Sequence, residues 1–378
     1  MAHKLVKHSP KALKFYREQL SLSVDFLAHK AKIKSVKKVG DGEHQNEIFT
    51  FKQIQNLAEV LLIPEFLLLT DSLQEPNLPP HIEHRNHIEA TDENMQYRLN
   101  KAIYELLNNR ENLLYTYESL EIEPKQFNLQ LTGENAVVDS ETIRKWLDIE
   151  NCTLKIENND DYYRSWRTMI EKKDVLVIEL SAVKVGSEGM ALHYDTLPII
   201  GILSSGQTHS RRLFTMIHEL VHLGLNQSSI DGHILQSDEM IERYCNQVAG
   251  HVLLPQVIAE KIYDSRKMLD ENIANIRKKI KVSKQAIAIQ LKLLGYINQI
   301  ELNAYMQSLV REQLQDDDTQ GGFGVKQRVK TANQFGKVYL QQVISAVWND
   351  AINISTAMQI LHLKDVQDLT TLEQKVFA

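Results

Sequence analysis

Residues 214–223 read FTMIHELVHL, and no other stretch restricts so sharply what the chain can fold into. Two histidines four residues apart on a helix project from one face and can hold a single ion at about 2.0–2.1 Å. His218 and His222 have that spacing. Glu219 sits beside the same face, outside the histidine pair, where it can act as general base on a metal-bound water. The remaining positions, Phe214, Ile217, Leu220, Val221 and Leu223, are apolar, so the helix is expected to be buried nearly all round. Two imidazoles and a carboxylate in such a helix are costly unless something pairs them. With 14 histidines in 378 residues, H-E-x-x-H arises by chance in roughly 4 of 100 such chains. The apolar setting, directly after a predicted strand, favours the metal reading over chance.

A catalytic zinc takes three protein ligands and keeps one position open. Metzincin spacing would place Gly and His where this chain has Leu225 and Ser228, so that arrangement is excluded. The downstream candidates for a third ligand are His233, Asp238, Glu239, Glu242 and His251. Within the predicted helix 237–253, Glu242 is followed one turn later by Asn246. That pair can supply a carboxylate ligand and an amide partner for one of the histidines. His251 falls about 180° round the helix from Glu242 and should face elsewhere. His233 lies in a Ser/Gly/Asp-rich loop that would have to fold back, which makes it the second choice after Glu242. Tyr244, His209, Arg243 and His233 are candidate donors to a developing oxyanion.

Hydrophobic residues make up 43% of the chain and charged residues 24%, ordinary values for a folded globular protein. No apolar run approaches the 18 residues a membrane helix needs, and the basic N-terminus lacks an apolar signal core. Two cysteines, Cys152 and Cys245, cannot staple a secreted scaffold. A cytoplasmic protein with no membrane partner is expected. The net charge of −6 is unevenly spread: residues 1–43 hold ten Lys/Arg and four acids, +6, which leaves −12 for the remainder. A basic segment on an acidic body suits a small nucleic-acid-binding head.

The periodicities predict an α+β, mostly helical chain. Short helices fill residues 1–73, with Ser23 and Thr50 as caps, Pro64 as a stop and a loop at 40–47. Residues 74–150 read as a proline-rich linker followed by helical segments. Strands are expected at 152–157, 174–180 and 197–205. Helices are expected at 210–225, 237–253 and 272–300, and a polar helical tail at 301–378, broken at 316–324. The strand LPIIGILSS at 197–205 reads either as an edge that pairs with an extended peptide or as an internal core strand. No internal repeat is visible.

FTMIHELVHL followed by IERYCNQVAGHVLLP resembles the ImmA/IrrE-type zinc metallo-endopeptidases, whose second motif carries Glu, then Asn four residues on, and closes in Leu-Leu/Met-Pro. VLVIELSAVKVGSEGMALHYDTLPIIGI is similar to the strand region before that family's active-site helix, and VSKQAIAIQLKLLGYIN to the segment after its catalytic core. SLSVDFLAHKAKI and FKQIQNLAEVLLIPEFLLL resemble the repressor-like helix-turn-helix that long members carry at the N-terminus. The resemblance implies a helix-turn-helix-like domain at 1–73 and a zincin-type peptidase domain, a small sheet plus the H-E-x-x-H helix, at 151–300. It implies zinc held by His218, His222 and Glu242, with Asn246 behind them and Glu219 catalytic. It further implies a protein substrate, a repressor or toxin–antitoxin partner. The alternative is a DNA-binding or antitoxin-like regulator that acts by binding its partner, the zinc site being structural or conditionally active. Two departures stand out. The second motif's usual Ala-Asn-x-Phe-Ala is Cys245-Asn246-Gln247-Val248-Ala249 here, with Cys245 expected to be a small buried substitute. The recognition segment IKSVKKVGDGEHQNE is rich in lysine and poor in base-reading side chains, which points to weak phosphate contact with duplex DNA.

Overall fold

The structure, a computed structural model, describes residues 4–71, 73, 93–152, 154, 157–181, 188–227, 229–230, 239–315 and 327–377. Helices dominate, and the strands form one sheet of two and one of four. The chain divides into two compact units, Met1–Leu107 and Asn108–Ala378.

In the first unit four helices begin where a side chain accepts an otherwise unpaired backbone N–H. Ser9 caps α1 (Pro10–Gln19), whose first position is the proline. Ser23 caps α2 (Val24–Lys30), as the sequence suggests, and Ser35 caps α3 (Val36–Gly42). Thr50 and Gln53 form a reciprocal capping box at α4 (Phe51–Leu61). Strand β1 (Leu5–Val6) pairs antiparallel with β2 (Phe49–Thr50). Leu13, Tyr16, Leu27, Val39, Phe49, Ile54 and Leu57 meet in the core. One expectation fails: α3 runs on through Gly40 and Gly42 into the predicted loop. Its end lies against Phe49, where a side chain at residue 42 would come within 2.5 Å of the ring, so the glycine serves close packing there instead of a turn. Helix α5 (Glu93–Ser119) follows.

The second unit contains α6 (Ala136–Trp146), α7 (Asn159–Glu171) and a four-stranded sheet. Its strands are β3 (Leu176–Glu179), β4 (Gly189–Leu192), β5 (Ile199–Ile202) and β6 (Ser229–Ile230), in the order β3-β5-β4-β6. Strand β5 pairs in parallel with β3 and antiparallel with β4. The edge reading of 197–205 is therefore wrong: both of its hydrogen-bonding sides are taken, and Ile199, Ile200 and Ile202 are fully buried. Of the strand expected at 152–157, only Cys152, Leu154 and Glu157 are described, and none is in a strand.

Onto this sheet packs α8 (His209–Gly224), capped by Thr208 and ended at Asn226 in the left-handed conformation. It is followed by α9 (Glu239–Leu253) and α10 (Gln256–Ile262). The single helical period expected over 272–300 is three helices: α11 (Leu269–Lys279), α12 (Lys284–Leu293, capped by Ser283) and the start of α13 (Gln299–Gln315). The C-terminal helices are α14 (Gln327–Trp348), α15 (Ile354–Ile360) and α16 (Val366–Phe377). They are less polar than a solvated tail, because Phe335, Tyr339, Leu340, Val343, Ile344 and Leu361 are buried.

The backbone also repeats itself where the sequence does not. The segment 23–39 recurs 330 residues later, at 353–369. Ser23 and Asn353 cap seven-residue helices, and Lys32 and His362 both take left-handed backbone. The turn bonds also correspond: Ala31 N to Leu27 O matches Leu361 N to Ala357 O, and Ile33 N to Ala28 O matches Leu363 N to Met358 O. Exposure alternates identically from 31 to 39 and from 361 to 369. The shared turn is set by one apolar residue on each side of a positive-φ position (Ala31 and Ile33, Leu361 and Leu363), a pattern too sparse to register as sequence similarity.

Candidate metal centre

Buried apolar residues around α8 place it at the centre of the larger core, between the sheet and α9. His218 is 4% exposed, His222 2% and Glu219 not at all. The cost of burying the two histidines is met from α9. Glu242 Oε2 lies 3.1 Å from His218 Nε2, Glu242 Oε1 lies 3.4 Å from His222 Nε2, and the two Nε2 atoms are 3.1 Å apart. Three donor atoms bound at about 2.05 Å to a tetrahedral ion should stand roughly 3.3 Å from one another. The two imidazoles stand near that spacing from each other, and each stands near it from one oxygen of Glu242, so the donor set fits zinc in chemistry and approximate spacing.

Asn246 turns one of the rings. Its Oδ1 lies 3.2 Å from His218 Nδ1. A proton on Nδ1 pointing at that oxygen leaves the Nε2 lone pair facing Glu242 and His222, as a metal-ligating imidazole requires. His222 Nδ1 has no hydrogen-bond partner among the described residues. Burial pushes the Glu242 carboxyl up, but hydrogen bonds and charge from His218 and His222 outweigh it and hold the group at about 2. The pair therefore faces an ionised carboxylate.

Cys245 offers a second donor set. Its sulfur and one nitrogen of each histidine lie within 4.8 Å of one another. The sequence assigned it no role beyond packing, and its place one turn-fraction from Glu242 on a buried helix face is visible only once α9 is docked on α8. The carboxylate is the closer fit, because both of its oxygens already stand at tetrahedral-edge distance from the imidazoles.

Glu219 is held from the sheet side. A Cβ on Gly189 of β4 would come within 2.6 Å of Glu219 Oε1 and 2.5 Å of Thr215 Cγ2. The strand can approach the helix at Glu219 only because residue 189 lacks a side chain. Nothing in the sequence singles out Gly189, since its partner lies 30 residues away and on another element.

The other candidates lie elsewhere. Tyr244 Oη donates to Asp139 Oδ2 at 2.6 Å. His209 is at the opposite end of α8, about 13 Å along the axis from His218, and lies 3.3 Å from Asp160. Arg243 and Glu239 are exposed. His251 Nδ1 lies 2.9 Å from Gln290 Nε2. His233 and Asp238 lie outside the described residues.

Residues 170–292 match the family model of the IrrE N-terminal-like domain, Peptidase_M78. The matched segment is about a third of the chain and contains the sheet, α8, α9 and the four converging side chains. It is a metallopeptidase-like segment. No curated protein and no solved structure matches the chain. Among the described residues, no helix is long and apolar enough to cross a membrane.

Proposed function

We propose that the protein is a zinc-dependent endopeptidase acting on a protein partner, a repressor or a toxin–antitoxin component. In this reading His218, His222 and Glu242 hold the ion and Asn246 orients His218. A bound Zn2+ supplies Lewis-acid polarisation of the scissile carbonyl and lowers the pKa of a coordinated water. Glu219 then moves the proton: its carboxylate accepts one as the carbonyl is attacked and returns it to the nitrogen of the leaving amine. Burial of Glu219 against Gly189 keeps that carboxylate in one place through both transfers. The observation that carries the reading is the triangle of Nε2, Nε2 and carboxylate oxygens, with separations of 3.1 to 3.4 Å.

The first unit supports a regulatory setting. Lys34 and Lys37 are exposed on the turn before α3 and at its start. Lys38 is turned inward, with Nζ 2.9 Å from Gln53 Oε1 and 5.6 Å from the centroid of the Phe49 ring. A helix-turn-helix-like head whose segment 33–47 exposes Lys34 and Lys37 suits weak phosphate contact with duplex DNA better than base readout.

The test is to incubate the zinc-loaded full chain with the repressor or toxin encoded beside its gene. Cleavage by the wild type and none by Glu219→Gln supports the reading. A fully metallated protein that binds its partner without cutting it overturns the enzyme and leaves a binding regulator.

A further inference from the structure

The second unit holds a cleft of about 800 Å³ that touches none of His218, Glu219, His222 or Glu242. It is bounded by α7, the start of α8 and the C-terminal helices α14 and α16. Its volume falls in the range of small-molecule sites. We propose that it binds a small organic anion with a flat or aliphatic body.

The charge argument comes first. Lys125, Lys172, Lys173, Lys337 and Lys375 line the cleft, and none of their ammonium groups has a carboxylate within 4.0 Å among the described residues. The acids in the wall are already engaged. Asp160 takes Arg164 at 2.7 Å, Asp161 takes the Asn158 amide at 2.6 Å, and Glu179 is clamped by Arg167 at 3.2 Å and Arg212 at 3.0 Å. Five cations facing one concave space repel each other and focus a positive potential into it, which an anion relieves.

Arg212 adds a further cation to the wall, held to Glu179 at 3.0 Å. The lining is also partly apolar. Trp146, with the Lys173 ammonium 5.6 Å from its ring centroid, stands with Leu147, Met169 and Leu340. Cations together with an indole and aliphatic side chains in one cleft select a ligand that carries both an anionic group and an apolar body. Inorganic anions would use only half of the site.

Two probes of nearly equal shape test this on the full-length protein: anilinonaphthalenesulfonate, which is anionic, and phenylnaphthylamine, which is neutral. The sulfonate should bind saturably at one site per chain, and Lys173→Glu with Lys337→Glu should weaken it about tenfold or more. The neutral probe should bind more weakly and should not respond to the reversal. Lys173→Gln with Lys337→Gln should show the same ordering with a smaller loss, which covers a charge reversal that impairs folding. Absence of saturable sulfonate binding overturns the proposal. So does equal affinity in wild type and both double variants, or a neutral probe that binds as tightly as the anion. The cleft lining includes none of His218, Glu219, His222 or Glu242, so zinc content should be unchanged in these variants and the outcome is independent of the peptidase reading.

Discussion

Tyr244 Oη donates a 2.6 Å hydrogen bond to Asp139 Oδ2, which ties α9, the helix that carries Glu242, to α6. The same carboxylate also accepts from the backbone N–H of Thr132 and Gly133 and from the Thr132 hydroxyl. The phenol is thereby committed to holding two helices together and is not aimed at the histidine pair. One buried carboxylate thus positions the helix that brings Glu242 and Asn246 up to His218.

That anchor has a pH signature. Burial pushes the Asp139 carboxyl up, but the hydrogen bonds from Tyr244, Thr132 and Gly133 hold it below its ordinary value. A depressed folded-state pKa means that its stabilisation is fully present above the unfolded value, near 4, and is lost as pH falls through the folded value. Asp139→Asn should cost about 1–3 kcal/mol at pH 7. Melting curves of wild type and variant should converge as pH falls below the ordinary aspartate value, near 4, if this carboxylate carries the effect; a gap that stays constant would assign the loss to packing.

Metal content separates the two donor sets. The wild type should bind one zinc per chain. Glu242→Ala should lose it, whereas Cys245→Ser and His233→Ala should keep it. Elemental analysis of the four purified proteins decides this, and loss in His233→Ala with retention in Glu242→Ala would move the third ligand to the 231–238 segment.

Proton handling should separate from metal binding. Glu219→Gln should retain zinc while proteolysis falls by about 10²–10⁴-fold. Gly189→Ala should act through the same carboxylate, because the added methyl overlaps Glu219 Oε1 and Thr215 Cγ2. Overpacking of this kind costs about 1–3 kcal/mol. Activity should drop about tenfold or more with zinc occupancy unchanged, read by parallel metal and cleavage assays; full activity in Gly189→Ala would show that Glu219 tolerates displacement.

The C-terminal helices hang on a second glycine. Gly336 breaks the helical backbone of α14 at φ 75°, and a Cβ there would overlap Glu171 Oε1 and crowd the Arg167 guanidinium. The buried Arg167 donates to the Asn333 and Gln334 carbonyls, and Glu171 accepts from Val338 N. Gly336→Ala adds left-handed strain to this overlap, so it should lower stability by about 2–4 kcal/mol. Thermal denaturation checks it, and an unchanged melting temperature would mean that α14 docks by its apolar face alone.

Binding of the full chain to duplex DNA should be weak and steeply salt-dependent between 50 and 200 mM, with a slope set by the few lysines engaged. Lys34→Glu with Lys37→Glu should abolish it, and Lys38→Glu should matter less because that side chain is folded onto Gln53 and Phe49. Electrophoretic mobility at graded salt reads this directly. Absence of binding at 50 mM would leave the first unit as a protein-docking surface.

Local rules made much of this legible before any fold was known. The i, i+4 spacing of His218 and His222 needs only helix geometry, and Glu242 with Asn246 needs only the next helix. Ser23 and Thr50 mark helix starts because a side-chain oxygen must meet an unpaired N–H within three residues. Relationships between distant segments were not legible, because they depend on how elements dock. No sequence window contains both Gly189 and Glu219, or Tyr244 and Asp139, or Lys172 and Lys173 just after α7, Lys337 of α14 and Lys375 of α16, which line one cleft. The order β3-β5-β4-β6, which makes 199–202 an internal strand, is set by long-range pairing in the same way. The recurrence of segment 23–39 at 353–369 rests on a backbone turn that many apolar residues satisfy. The sequence by itself determined which groups can carry chemistry; tertiary packing decided which of them meet, because burial and close approach are properties of pairs of elements and not of either one alone.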